Sequence, residues 1–206
     1  MIDLAMSLLQ AEMAAYLIAK GDSAANIVID NIGLAETSNG SSLVDNIVIT
    51  LVNIEEESAL KNQSAVRRFS SGTALYESAP VYLNLYVLVT CNYFGDGYIL
   101  ALKRLSLVIQ FLQGKTSFSS ASSVATGIFT PTADTAADLT ELKFTLELYT
   151  LTFEQINHLW GSLGGRQVPF AMYKLRLVGI TDRKPQRLVP VIEEIGSSLL
   201  KMQGSK

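Results

Sequence analysis

Cysteine, histidine and tryptophan occur once each in this chain of 206 residues, as Cys91, His158 and Trp160. One cysteine excludes an internal disulfide and any cysteine-cluster metal site, and it makes the cytoplasm the expected compartment. One histidine leaves imidazole chemistry a single address. Charge is also scarce, at 17% of residues against about 25% in ordinary globular chains. With a net charge of −3 and no cluster of Lys and Arg, the chain lacks the basic field that nucleic acid demands. Nor is there an uninterrupted apolar run of about 18 residues, as a membrane-spanning helix would need. The N-terminal stretch is broken by Asp3, Gln10 and Glu12 and has no positively charged leading region, so it is expected to be a mature soluble N-terminus.

What the chain has in surplus is apolar surface, 49% of its residues. That content suffices for a sizeable core in one domain, and the charge deficit predicts that part of the outside is buried too, most simply against further copies of the chain. Ile2 to Lys20 reads as a helix with Leu4, Leu8, Met13 and Leu17 along its apolar face, stopped by Gly21 and Asp22. A short apolar run, Ile27 to Ile32, precedes a loop from Glu36 to Ser42 marked by the turn pair Asn39-Gly40. Ile47 to Ile54, β-branched and apolar on both faces, predicts a central strand. Glu55, Glu56 and Glu57 follow it and open a polar connection, with Arg67-Arg68 inside, that lasts to Val81.

In Val81 to Cys91 the residues Val81, Leu83, Leu85, Val87, Val89 and Cys91 alternate with Tyr82, Asn84, Tyr86, Leu88 and Thr90. That pattern is a strand with one core face and one partly covered face, where Tyr rings pack and hydroxyls reach water. Gly95-Asp96-Gly97 turns into a helix from Tyr98 to Gln113, read with Ile99, Leu102, Leu105, Ile109 and Leu112 inward and Arg104 outward. Residues 115 to 138, rich in Ser, Thr and Ala, read as an exposed excursion. Leu142, Phe144, Leu146 and Leu148 then mark a strand, and Met172 to Ile180 another, with Glu141 or Glu147 set to face Lys174 or Arg176. Between them, Thr152 and Gln155 form a capping box for a helix whose apolar stripe is Phe153, Ile156, Leu159, Trp160 and Leu163, ended by Gly164 and Gly165. Beyond Ile180 the chain turns polar; Pro190 forbids regular continuation there, and Ile192, Ile195, Leu199 and Leu200 have helical spacing in a tail too short to fold alone.

The chemistry these residues offer is structural. Glu154 lies one helical turn before His158, an ordinary helix-face spacing without a nucleophile or metal ligand, so His158 reads as the polar edge of a packed helix and Trp160 as its core residue. Cys91 ends an apolar strand as an inert buried thiol. Three adjacent glutamates point in different directions and do not converge on one ion, and neither glycine cluster has the fingerprint of a phosphate loop. No catalytic residue, cofactor, metal or small-molecule substrate is expected. Glu55, Glu56 and Glu57 with Arg67 and Arg68 read instead as a docking patch for a protein, whose charge reversal is expected to leave the isolated fold nearly unchanged.

Three stretches taken together, Ile49-Thr-Leu-Val-Asn-Ile-Glu-Glu-Glu57, Pro80-Val-Tyr-Leu-Asn-Leu-Tyr-Val-Leu88, and Glu147-Leu-Tyr with Asn157-His-Leu-Trp-Gly161, resemble the tube-terminator, or cap, proteins of contractile injection systems. The resemblance covers residues 1–181 and leaves 182–206 as a C-terminal tail. It implies an α+β fold, a mainly antiparallel sheet packed by helices and related to phage tail terminators. It further implies a six-fold ring at the distal end of the inner tube, in contact with tube and sheath proteins, assembled in the bacterial cytoplasm. A baseplate or sheath-adaptor subunit of the same machine is the alternative. With only the tail beyond the shared region, no role of an added C-terminal domain is expected, and the excursion at 115 to 138 has no counterpart in the resemblance.

Overall fold

The computed structural model describes residues 1–35, 37, 43–60, 66–68, 73–76, 81–120, 142–180 and 187–190. Two compact units form, Met1–Lys61 with Val81–Ile180, and Asn62–Pro80 with Thr181–Lys206. The first is built on a six-stranded sheet of β1 (Ile27–Ile29), β2 (Asn46–Glu56), β5 (Val81–Asn92), β8 (Phe170–Ile180), β7 (Lys143–Leu148) and β6 (Ser117–Ser119), in that spatial order. Only the β1–β2 pair is parallel. Among the described residues this unit has three α-helices: α1 (Ile2–Ala19), α2 (Tyr98–Gly114) and α3 (Phe153–Ser162). The second unit has a three-stranded sheet of β3 (Val66–Arg68), β4 (Thr73–Tyr76) and β9 (Arg187–Pro190). The fold is α+β and mainly antiparallel, as the sequence predicts.

Local sequence explains the helix ends. After α1 the backbone turns left-handed at Gly21 (φ 86°), so that Gly21 N–H reaches the Ile18 carbonyl and Asp22 N–H the Leu17 carbonyl. Those are the two bonds of a glycine C-cap that satisfies otherwise orphaned carbonyls. At α3 the capping box forms as written: Thr152 Oγ1 accepts from Gln155 N–H and Gln155 Oε1 accepts from Thr152 N–H. Gly165 N–H closes its far end on the Trp160 carbonyl.

Both faces of the sheet are covered. On one, Ile47, Ile49, Leu85, Val87, Val89, Cys91 and Leu175 pack with Leu8, Leu9 and Met13 of α1 and with Val108 and Leu112 of α2. On the other, Val48, Tyr86, Leu88 and Met172 pack with Trp160 of α3, Ile32, Leu43 and Val168. Each fully buried Leu or Met contributes roughly 1.5–3 kcal/mol relative to exposure. By length and mean hydropathy, 1.4, α1 is apolar enough to cross a membrane; its buried row, Ala5, Met6, Leu8, Leu9, Met13 and Leu17, lies in this core.

Several expectations give way to tertiary context. β5, not β2, is the strand most fully covered, and its second face is no partly wet surface: Asn84, Tyr86, Leu88, Thr90 and Asn92 are all buried. The strand at Ile27 stops at Ile29, since Asn31 caps a 3-10 turn over Ile32–Leu34 through the Gly33 N–H. Helix α2 is rotated from its predicted face. Ala101, Arg104, Val108, Phe111 and Leu112 are buried while Ile99, Leu102 and Ile109 are exposed. Arg104 turns inward because its guanidinium has a bidentate partner in Asp22, at 2.8 Å on both oxygens, and also donates to the Tyr93 hydroxyl. Such pairing offsets the desolvation that otherwise keeps arginine outside.

The excursion is not exposed from its start, for Lys115 pairs with buried Glu12 at 2.8 Å and Phe118 of β6 is buried, stacked on Phe144. Leu148 and Phe153, predicted inward, face out. The connection to Val81 includes β3 and β4, and β9 pairs antiparallel with β4 in spite of Pro190. A proline is tolerated at a strand end. The segment after Ile180 thus groups with 62–80, a stretch the sequence reading had not separated. The turn at 39–40, Glu141, the rest of the excursion to 138 and the helical spacing at 192–200 lie outside the described residues.

Candidate functional site

The far end of the sheet carries a ladder of polar side chains on one face. A bulge between Leu51 and Asn53 resets the register of β2, so that Glu55 stands opposite Asn84 and Asn53 opposite Tyr86. Tyr86 Oη donates to Glu55 Oε2 at 2.7 Å, and Asn84 Nδ2 to Glu57 Oε2 at 3.0 Å. Across β5, Arg176 reaches Glu57 at 3.5 Å and Glu147 of β7 at 3.3 Å. Lys174 lies over the Tyr86 ring, 5.3 Å from its centre, and Tyr149 meets that ring edge-on at 5.0 Å.

The electrostatics follow the geometry. The Asn84 amide, the Ala59 N–H and the nearby Arg176 charge hold the Glu57 carboxyl below the usual range. Burial, then the hydrogen bond to Glu55, raises the Tyr86 phenol. The bond to Glu147 raises the Arg176 guanidinium further.

The predicted docking residues are therefore divided. Glu55 and Glu56 lie within β2 and Glu57 directly after it, not in the connection beyond. Glu55 and Glu57 are committed to the ladder, so reversing their charge removes intramolecular bonds as well as altering the surface. Arg67 and Arg68 lie on β3, in the second unit. Tyr82 is half-buried near the start of β5, its carbonyl accepting from Glu57 N–H. Tyr86 is buried, its hydroxyl on a carboxylate and not in water. The cross-strand charge pairing holds in diagonal form, because Glu147 stands opposite Lys174 in register yet bonds Arg176.

Trp160 is core, edge-on to Phe170 at 5.4 Å, and His158 is exposed on the same helix. The Cys91 thiol, wholly buried, is pushed up to about 12 by desolvation, which makes it a poor nucleophile. Among the described residues no group of three or more His, Cys, Asp and Glu side chains is placed to hold a metal ion. One cleft of about 200 Å³ lies between Ile32, Val44, Asn92, Leu163 and Arg166, the last with its guanidinium 3.8 Å over Phe94.

The surface features that sequence reasoning missed are apolar. Tyr98, Ile99, Leu102 and Ile109 on α2, Leu148 at the end of β7 and Phe153 at the start of α3 are all exposed, Phe153 to 91%. Helical spacing had assigned most of them to the core, since α2 is apolar nearly all round and its period fits two faces equally well. The inward position of Arg104 would have been the discriminating signal, had Asp22 been recognised as its partner.

The model of the Pvc16 N-terminal domain family matches residues 6–194. No curated protein matches this chain in sequence. Among solved structures, the sheath/tube terminator of PVC, an extracellular contractile injection system, in its extended state superposes with a TM-score of 0.65 at 14% identity, over 100% of this chain and 65% of that one. The tube terminating cap of the anti-feeding prophage gives a TM-score of 0.59 at 16% identity, over 97% and 61% respectively. The chain thus spans less than two thirds of the length of either, and the likeness is one of fold. With the family model matched along nearly its whole length, the chain belongs to the Pvc16 N-terminal domain family.

Proposed function

We propose that this chain is a structural cap, which ends the inner tube and sheath of a contractile injection system by assembling as a ring of six copies on the tube's distal end. The observation that carries this reading is the fold likeness to two tube terminators, which covers 100% and 97% of the chain. The exposed apolar side chains of α2 and α3 supply surface for contact between copies. The proposed role is assembly and not catalysis, and it takes place in the bacterial cytoplasm. Glu55, Glu56, Glu57, Arg67 and Arg68 are the proposed contacts to tube or sheath protein.

Deleting the gene and imaging the particles by cryo-electron microscopy tests the reading. Tubes and sheaths of uncontrolled length, without end density, are expected. Particles of normal length with a complete distal cap would refute it.

A further inference from the structure

We propose that copies of this chain join head to tail by seating Phe153 of one copy in the groove that Tyr98, Leu102, Leu105, Pro169 and Phe170 line on the next. The proposal rests on the cap reading and specifies which faces close its ring. Phe153 is the first residue of α3 and stands 91% exposed, an aromatic knob that the fold of one copy leaves uncovered. The groove, about 430 Å³, runs between the first half of α2 and the segment that leads into β8. Tyr98 and Leu102 on its wall are themselves 50% and 41% exposed.

Knob and groove lie toward opposite ends of α3. The helix has ten residues, about 15 Å at 1.5 Å each, and Gln167 to Phe170 follow soon after its end. Two different faces, each apolar and neither self-complementary, are what a heterologous contact needs, and such contacts close into rings. Charge agrees in sign: Glu154 is exposed beside the knob, and Lys103, exposed on α2, follows Leu102 of the groove wall. Opposite charges around an apolar seat fix register and select the partner.

The test uses the full chain with a photo-cross-linking amino acid at position 153, alone and with purified tube protein, and maps linked peptides by mass spectrometry. Linkage between copies from position 153 to residues 98–105 or 167–170 is expected. Phe153→Ser should keep the melting temperature, because the side chain is exposed, and weaken self-association on the order of 30-fold, as loss of an aromatic anchor does. Glu154→Lys and Lys103→Glu should each weaken assembly and together restore it. Multimers that link through other peptides, or that form undiminished with Phe153→Ser, would overturn this seat and leave the ring reading intact. A wild-type chain that never multimerises, even on tube protein, would overturn both.

Discussion

Asp22, just beyond the end of α1, holds the guanidinium of a residue 82 positions later in the chain. Arg104 is buried with Tyr93 as its second partner, so removing the carboxylate strands a charge in the core. Asp22→Ala should cost about 3–5 kcal/mol in urea unfolding, the usual effect of breaking one half of a buried pair. The hydrogen bond from Arg104 depresses the Asp22 carboxyl. Its contribution is therefore fully present above the unfolded value near 4 and is lost as pH falls through the lower folded value. Wild type and Asp22→Asn should accordingly converge in stability as pH drops below about 4, and a gap that ignores pH would count against the pairing. Trp160 offers a second test at this scale. Trp160→Ala should cost about 3–5 kcal/mol, whereas His158→Ala on the exposed side of the same helix should stay within about 0.5.

At the scale of elements, α2 asks which of two adjacent residues is core. Val108 is wholly buried and Ile109 is 38% exposed, although the apolar period alone had chosen Ile109. Val108→Ala should destabilise by about 2 kcal/mol and Ile109→Ala by well under 1, measured by denaturant titration. The reverse order would place the helix in the rotation read from sequence. Where local chemistry is self-contained the sequence was legible: the Thr152 capping box, the Gly21 stop, and the alternation of β5 and β8 all form as written. It failed where the deciding partner is distant. Nothing near Arg104 announces Asp22, and nothing near Glu57 announces Asn84 and Arg176. Phe153 was misread for a different reason, since first-turn residues of a helix belong to its apolar period without necessarily meeting the core. Of the candidate site, then, the charges were visible and their engagement was not.

Across the whole molecule, the ladder complicates any test of docking by charge. Reversing Glu55, Glu56 and Glu57 to Lys alters the surface but also cuts the bonds to Tyr86 and Asn84. A control with Tyr86→Phe and Asn84→Ala removes those bonds and keeps the charge. If the acidic edge meets tube or sheath, the triple reversal should yield poorly capped particles while the control caps normally, as counted in micrographs; normal capping by the triple reversal would exclude that edge. The division of the chain into two units has a further, kinetic consequence. β4 and β9 pair residues 73–76 with 187–190, so the small sheet is complete only after more than a hundred intervening residues have been synthesised. A sheet of three short strands opens below the global unfolding free energy. Amide hydrogens of β4 and β9 should therefore exchange with solvent as one group, ahead of those in β5 and β8, which makes the small sheet the last part of the nascent chain to settle and the first to let go.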